Sequence, residues 1–230
     1  MIETLIGLAR YDENGNQSGG RPGDQLQVDL PDRNGEVALV TLGEFLNGRS
    51  CTIYRLADID KAKKTGEGIV KAANNPYIGY DTTNRLDILT YGVYAGKNGK
   101  LAECDNSSLA RVVIKYGTGI DLGDFTNKNV RSYLEESGMF QPKFKYSQSM
   151  TIYVGDILII DDDTNWIGVC GRGEYRVKPS PTGVTNYNDL VNKPKINGET
   201  VEGAKTSEDY HIQEGGSSRP TVEGENLIFS

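Results

Sequence analysis

The stretch from Asp105 to Tyr116, Asp-Asn-Ser-Ser-Leu-Ala-Arg-Val-Val-Ile-Lys-Tyr, constrains this chain more than any other. Asp105 is a good helix N-cap, and Leu109, Val112, Val113 and Tyr116 recur at helical spacing, so a buried helix opens at Asn106. The first residue of such a helix is a chemical position. A cysteine there is an activated nucleophile, because the free N–H groups and the helix dipole favour the thiolate. This chain has Asn106 instead.

Around that helix the periodicity predicts strands at Leu5–Tyr11, Val37–Leu42 and Cys51–Leu56, then a helix capped by Asp58 and running to about Ala73, weakened by Gly66 and Gly68. A second helix is expected over Thr83–Tyr94, presenting Leu86, Leu89 and Val93, and another from Thr126, read as its N-cap, to Gly138. Strands follow at Met150–Val154, Asp156–Ile160, Trp166–Cys170 and Tyr175–Val177. Helices first and an antiparallel sheet afterwards predict an α+β class. The glycine-rich segment Gln17–Asp24 lacks a Gly-Lys-Ser/Thr ending and is not a phosphate loop.

Five pieces then fall in order: Ile-Gly-Leu-Ala-Arg-Tyr-Asp-Glu-Asn-Gly from Ile6, Ser-Gly-Gly-Arg-Pro-Gly-Asp-Gln ending at Gln25, Ile-Gly-Tyr-Asp from Ile78, Asp-Asn-Ser-Ser-Leu from Asp105, and Gly-Asp-Ile-Leu from Gly155. Together they resemble the phage peptidoglycan hydrolases of the papain-like group, the NlpC-like and CHAP-like amidases and endopeptidases, over most of residues 5 to 170. The resemblance implies a papain-like core with helices packed on an antiparallel sheet. It also implies an Asp-Cys-Ser motif whose cysteine is the nucleophile, and a histidine base shortly after the Gly-Asp-Ile-Leu strand. Here the cysteine position is Asn106 and the histidine position falls near Asn165 and Trp166. Both catalytic positions depart from the pattern, and the expectation is a pseudoenzyme.

Pro179-Ser-Pro-Thr-Gly183 reads as a linker by composition. The organisation expected is a degenerate hydrolase domain over 1–177, a linker over 178–185 and an extended appendage over 186–230. The polar run from Tyr187 to Asp209 resembles a short module of phage fibre, baseplate and head-fibre proteins. It departs at the end, where Tyr210-His211-Ile212 stands in place of Leu-Gly-Ile. With few apolar residues, the appendage is expected to be ordered by lying on a partner, through Tyr187, Leu190, Pro194, Ile196, Ile212, Leu227, Ile228 and Phe229.

The remaining chemistry is thin. His211 is the single histidine and lies in the appendage, while Asn165 and Trp166 take no proton at neutral pH. Cys104 is the rescue candidate for a nucleophile, but it lies off the helix and loses the activation of the helix terminus. Ser107 and Ser108 have no base and read as capping residues. Cys51, Cys104 and Cys170 are widely spaced, so neither zinc nor a disulfide framework is signalled. Asp161-Asp162-Asp163 reads as a solvated hairpin tip, not a calcium or magnesium site, and no cofactor is implied. A net charge of −7 argues against a nucleic-acid partner. Nothing predicts a membrane span or a signal peptide, which leaves the protein in the host cytoplasm where it is made.

The resulting expectation is a non-enzymatic phage virion protein built on an inactivated cell-wall-hydrolase fold. Its partners would be other virion proteins (major capsid, fibre or baseplate subunits), in a homo-oligomer for which a trimeric fibre is one form. Ordering the whole appendage is easiest on a repetitive surface, which favours capsid decoration or a head fibre over a tail fibre or baseplate. The alternatives are an active cysteine peptidoglycan hydrolase working through Cys104, and a module that binds peptidoglycan or surface glycan without cutting it.

Overall fold

The structure, a computed structural model, describes residues 2–11, 36–96 and 101–178, with the backbone of 195–196, 199–200, 220–223 and 226–229. The chain divides into two compact units, Met1–Val177 and Lys178–Ser230.

The first unit opens with β1 (Leu5–Ala9) and β2 (Val37–Thr41), followed by a short helix α1 (Leu42–Leu46) that the apolar pattern alone does not announce. Its signal was nevertheless present, because Thr41 and Glu44 form a reciprocal capping box. Next come β3 (Cys51–Tyr54), α2 (Ile59–Ala73), β4 (Ile78–Tyr80), α3 (Ile88–Tyr91), a 3₁₀ turn (Gly92–Tyr94), β5 (Ala102–Cys104) and α4 (Asn106–Thr118). The unit ends with α5 (Val130–Glu136), β6 (Phe144–Lys145), β7 (Ile157–Ile160) and β8 (Ile167–Arg172).

Six strands form one sheet in the order β2-β1-β8-β7-β3-β6, every neighbouring pair antiparallel. The class is α+β, with helices packed on an antiparallel sheet. Three of the six strands precede the first long helix, so the sheet is not a late addition as the linear pattern suggests; first and last strands interleave. A separate parallel pair, β4 with β5, leads into α4.

Both faces of the sheet are covered, which explains the unbroken apolar run of β7. Ile157 and Ile159 pack with Ile69 of α2 and Leu109 and Val113 of α4, while Leu158 and Ile160 pack with Phe45 of α1, Ile6 and Ile53 on the other side. Each such fully buried side chain contributes roughly 1.5–3 kcal/mol. Gly66 lets α2 lie directly on the sheet, since a Cβ there would meet the Cys170 carbonyl at 3.0 Å and the Gly155 nitrogen at 3.1 Å. The glycine that weakens the helix by propensity is required by its packing.

The structure departs from four expected elements. The Asp81 carboxylate accepts from the Thr83 N–H at 2.6 Å and from Asn84 Nδ2 at 2.7 Å, so 81–84 is a turn. The helix expected from Thr83 is therefore confined to α3 and its 3₁₀ turn, with Leu86 exposed. Residues 127–129 form a turn and α5 starts at Val130 with Asn129 before it, so Thr126 is not its cap. The Tyr153 N–H is taken by the Asp156 carboxylate at 2.9 Å. That leaves Met150–Val154 irregular, joined to the later chain by a lone Tyr153–Glu174 bridge, and Tyr175–Val177 forms no strand. The Asp161–Asp163 turn is the β7–β8 hairpin tip and is exposed at Asp163, but its first residue is drawn inward. Asp161, only 12% exposed, accepts from Thr52 Oγ1 and pairs with Arg131 and Lys145.

In the second unit, β9 (Lys195–Ile196), β10 (Glu199–Thr200), β11 (Pro220–Glu223) and β12 (Asn226–Phe229) form a sheet in the order β10-β9-β12-β11. Ile196 and Leu227 are register partners across its one parallel pairing, and Ile228 and Phe229 lie in β12. Tyr187, Leu190, Pro194, His211 and Ile212, with the Gln17–Asp24 segment and the linker beyond Lys178, lie outside the described residues.

Candidate functional site

The N-terminus of α4 is built by its own first turn. Asp105 adopts extended backbone and accepts the Ser108 N–H at 2.7 Å, while the Ser108 hydroxyl accepts the Asp105 N–H at 2.9 Å. The Ser107 hydroxyl donates to the same carboxylate at 2.8 Å. Both serines are thus committed to the cap. β5 delivers the chain to this cap, and the helix then runs under the sheet, so its first side chain is pressed against the rim where β1 ends and β8 begins.

That side chain is Asn106, 7% exposed. Its Nδ2 donates to the Ala9 carbonyl at 3.1 Å, and its Oδ1 accepts from the Ile167 N–H at 2.7 Å. One carboxamide therefore ties residues 9, 106 and 167, the ends of two neighbouring strands and the start of the central helix. A carboxamide suits the task because it is both donor and acceptor at fixed spacing.

The expected base position lies beside it. Asn165 holds a left-handed backbone with φ +45° and accepts from Arg131 Nε at 3.2 Å. Trp166 meets Tyr11 edge to face at 5.9 Å between centroids, with the Arg49 guanidinium over its ring at 5.4 Å and that of Arg10 over Tyr11 at 5.6 Å. The structure thus brings the two expected catalytic positions together, since the Asn106 amide bonds the N–H of Ile167, the residue after Trp166.

Cys104 is elsewhere. It lies in β5, fully buried, and its thiol donates to the Gly79 carbonyl at 3.2 Å. Burial, reinforced by the charges of Asp105, Glu103 and Glu36, pushes the thiol well above its ordinary value, so a thiolate is strongly disfavoured. Cys51 is pushed up to about 11, by burial first and Asp161 second, and Cys170 is raised by burial. Among the described residues no cluster of three His, Cys, Asp or Glu side chains is placed to hold a metal.

The sequence reading missed what the recurring motifs do. In Gly155-Asp156-Ile-Leu, Asp156 is almost wholly buried and receives a two-pronged bond from Arg55, at 2.9 Å and 2.7 Å, as well as the Tyr153 N–H. In Ile78-Gly-Tyr-Asp, a Cβ on Gly79 would meet carboxylate oxygens of Glu103 at 2.7 Å and Glu36 at 2.9 Å, and Asp81 makes the turn described above. The signal for each was a polar residue abutting a short apolar run.

These features define a hydrolase-like α+β domain, a capped helix N-terminus set against the rim of an antiparallel sheet. The chain belongs to the endolysin-like domain family, which matches residues 6–169. It is therefore a phage peptidoglycan-hydrolase-like protein in fold and descent. Comparison with curated proteins and with solved structures gave no match.

Proposed function

We propose that this chain is a non-enzymatic phage virion protein in which a cell-wall-hydrolase fold serves as a structural module. One observation carries the reading: the position from which a nucleophile would attack is filled by Asn106, whose amide is consumed in binding Ala9 and Ile167. Hydrolysis by this route needs a thiolate and an oriented base. Asn165 and Trp166 supply no base, and Cys104 is a buried thiol bonded to a carbonyl. The likeness of the Tyr187–Asp209 run to fibre, baseplate and head-fibre modules supports a virion role, and the ease of ordering the appendage on a repetitive surface favours the capsid, as decoration or head fibre, over the tail.

The test is to locate the chain in purified particles by cryo-electron microscopy and to assay the purified protein on cell walls. Regular density on the head with no wall clearing is the expected outcome. Clearing by the wild type that is lost in Cys104→Ala would establish the rival peptidase instead. Density at the tail tip would move the protein to the adsorption apparatus.

A further inference from the structure

β6 closes one side of the six-stranded sheet, with β7 and β3 between it and β8, the strand that Asn106 ties. The chain follows β3 for longer than the two residues of the strand itself. Leu56 and Phe140 form a bridge, and the Gln141 N–H donates to the Arg55 carbonyl at 2.8 Å. Phe144 and Lys145 stand opposite Ile53 and Thr52, and the Tyr146 N–H donates to the Cys51 carbonyl at 3.0 Å. Residues of an antiparallel strand turn their backbone groups alternately towards the partner strand and away from it. Tyr146 turns its groups towards Cys51 and Phe144 towards Ile53, so the N–H and C=O groups of Lys143 and Lys145 point away from the sheet. Among the described residues no further strand meets them.

The same alternation sorts the side chains. Phe144 and Tyr146 lie on one face, packed against the cluster that holds Ile53, Leu158 and Ile160. Lys143 and Lys145 lie on the other, where they pair with Glu135 at 2.6 Å and Asp161 at 2.8 Å while their side chains stay 49% and 70% exposed. Arg131 shares Asp161 with Lys145. Three cations thus stand along this edge against two carboxylates, one of them drawn inward, and the edge is net positive.

We propose that this edge accepts an extended acidic segment of a neighbouring virion protein by strand addition. The main chain of the added strand bonds the outward groups of Lys143 and Lys145, and the residues that make those bonds stand directly opposite the lysines, where carboxylates are favoured. The residues between them lie beside Phe144 and Tyr146, where apolar side chains fit. A second copy of this chain is selected against by register, because its own outward groups again belong to Lys143 and Lys145, and pairing sets lysine against lysine. Pro142, which has no N–H, limits the pairing at one end, and exposed lysines guard an open edge against indiscriminate association. The proposal rests on the virion reading only for the source of the segment.

The experiment is a fluorescence anisotropy titration of the full chain into labelled Ser-Glu-Val-Glu-Val-Glu-Ser. Two comparison peptides carry lysine in place of each glutamate, or N-methyl groups on the glutamate nitrogens that strand addition uses. Saturable binding of the acidic peptide with a Kd of about 0.1 mM or tighter is expected, with both comparison peptides weaker by about tenfold or more. Lys145→Glu should weaken binding by about tenfold, whereas Lys63→Glu, the same charge change on the exposed side of α2, should leave it unchanged. Should Lys145→Glu not fold, because its tie to Asp161 is lost, Lys143→Glu should weaken binding by about threefold or more. Absence of saturable binding, equal binding of either comparison peptide, or equal weakening by Lys63→Glu would overturn the proposal. Self-association of the full chain that Lys145→Glu alters would assign the edge to a second copy and overturn it too. Failure in any of these ways leaves the virion reading standing, since localisation in the particle tests that reading separately.

Discussion

Replacing Asn106 by alanine tests whether the side chain at the head of α4 holds the fold together. The side chain makes one bond to each of two strand ends, at 3.1 Å and 2.7 Å, in a place only 7% exposed. Alanine leaves the Ala9 carbonyl and the Ile167 N–H without these partners, at roughly 1–3 kcal/mol for each buried group. The expected loss is about 2–5 kcal/mol, read as a fall in the urea midpoint at unchanged slope. Asn106→Asp sharpens the test because it is nearly isosteric. The carboxylate can still accept from Ile167, but it faces the Ala9 carbonyl with an oxygen where the amide had an N–H. Protonated, it can donate to that carbonyl, so the folded state should hold the proton above the unfolded value of about 3.9. The Asp penalty should therefore be absent below that pH and grow as pH rises through the folded pKa, with the helix terminus offsetting part of it. An alanine variant within about 0.5 kcal/mol of wild type would refute the argument, since that is the range of a neutral surface change.

Three further outcomes follow from packing and charge. In native protein at pH 8, none of the three buried cysteines should react with an aromatic disulfide reagent, and all three should react after unfolding in urea; rapid native labelling of Cys104 would revive it as a nucleophile. Gly66→Ala should destabilise by about 1–3 kcal/mol through overpacking, despite a propensity gain of about 1 kcal/mol, and a more stable variant would contradict the close seating of α2 on the sheet. Asp121 is held well below the usual carboxylate range, chiefly by its bonds to Arg111 and then by the Gly123 N–H and Lys115. Its contribution is present above about pH 4 and lost as pH falls toward the depressed pKa. With the carboxylate 31% exposed, Asp121→Asn should flatten the acid limb of stability by no more than about 1 kcal/mol, measured as urea midpoints at pH 7 and pH 3.

What could be read directly from the residues was whatever local chemistry decides. The caps of α2 and α4 at Asp58 and Asp105 were legible because an acidic N-cap before an apolar stripe has few competing readings. The strands β1, β2, β3, β7 and β8 were legible because their apolar runs are bounded by turn residues. The helix expected at Thr83–Tyr94 failed because the Asp81 carboxylate folds 81–84 into a turn by binding both the Thr83 N–H and Asn84 Nδ2, and regular helix begins only at Ile88. Sheet order was illegible for a different reason. Nothing local in Leu5–Ala9 says that it will pair with Ile167–Arg172 at the far end of the domain, and that pairing is what turns Asn106 into a bridge.

The junction sets what a side chain at the head of α4 has to do. A helix N-terminus pressed on a sheet rim leaves backbone groups at strand ends that a buried side chain must satisfy. A cysteine at that place uses the helix terminus to hold a thiolate but cannot serve a carbonyl and an N–H together. Asparagine serves both, and so ties Ala9 to Ile167. The exchange need not disturb Asp105, Ser107 and Ser108, because their cap closes on itself without help from residue 106. Beside this tie, Trp166 packs against Tyr11 and Arg49. Placing a cysteine at 106 alone should then cost stability before it gives any activity, since the bonds to Ala9 and Ile167 are lost at once and neither Asn165 nor Trp166 can receive the thiol proton.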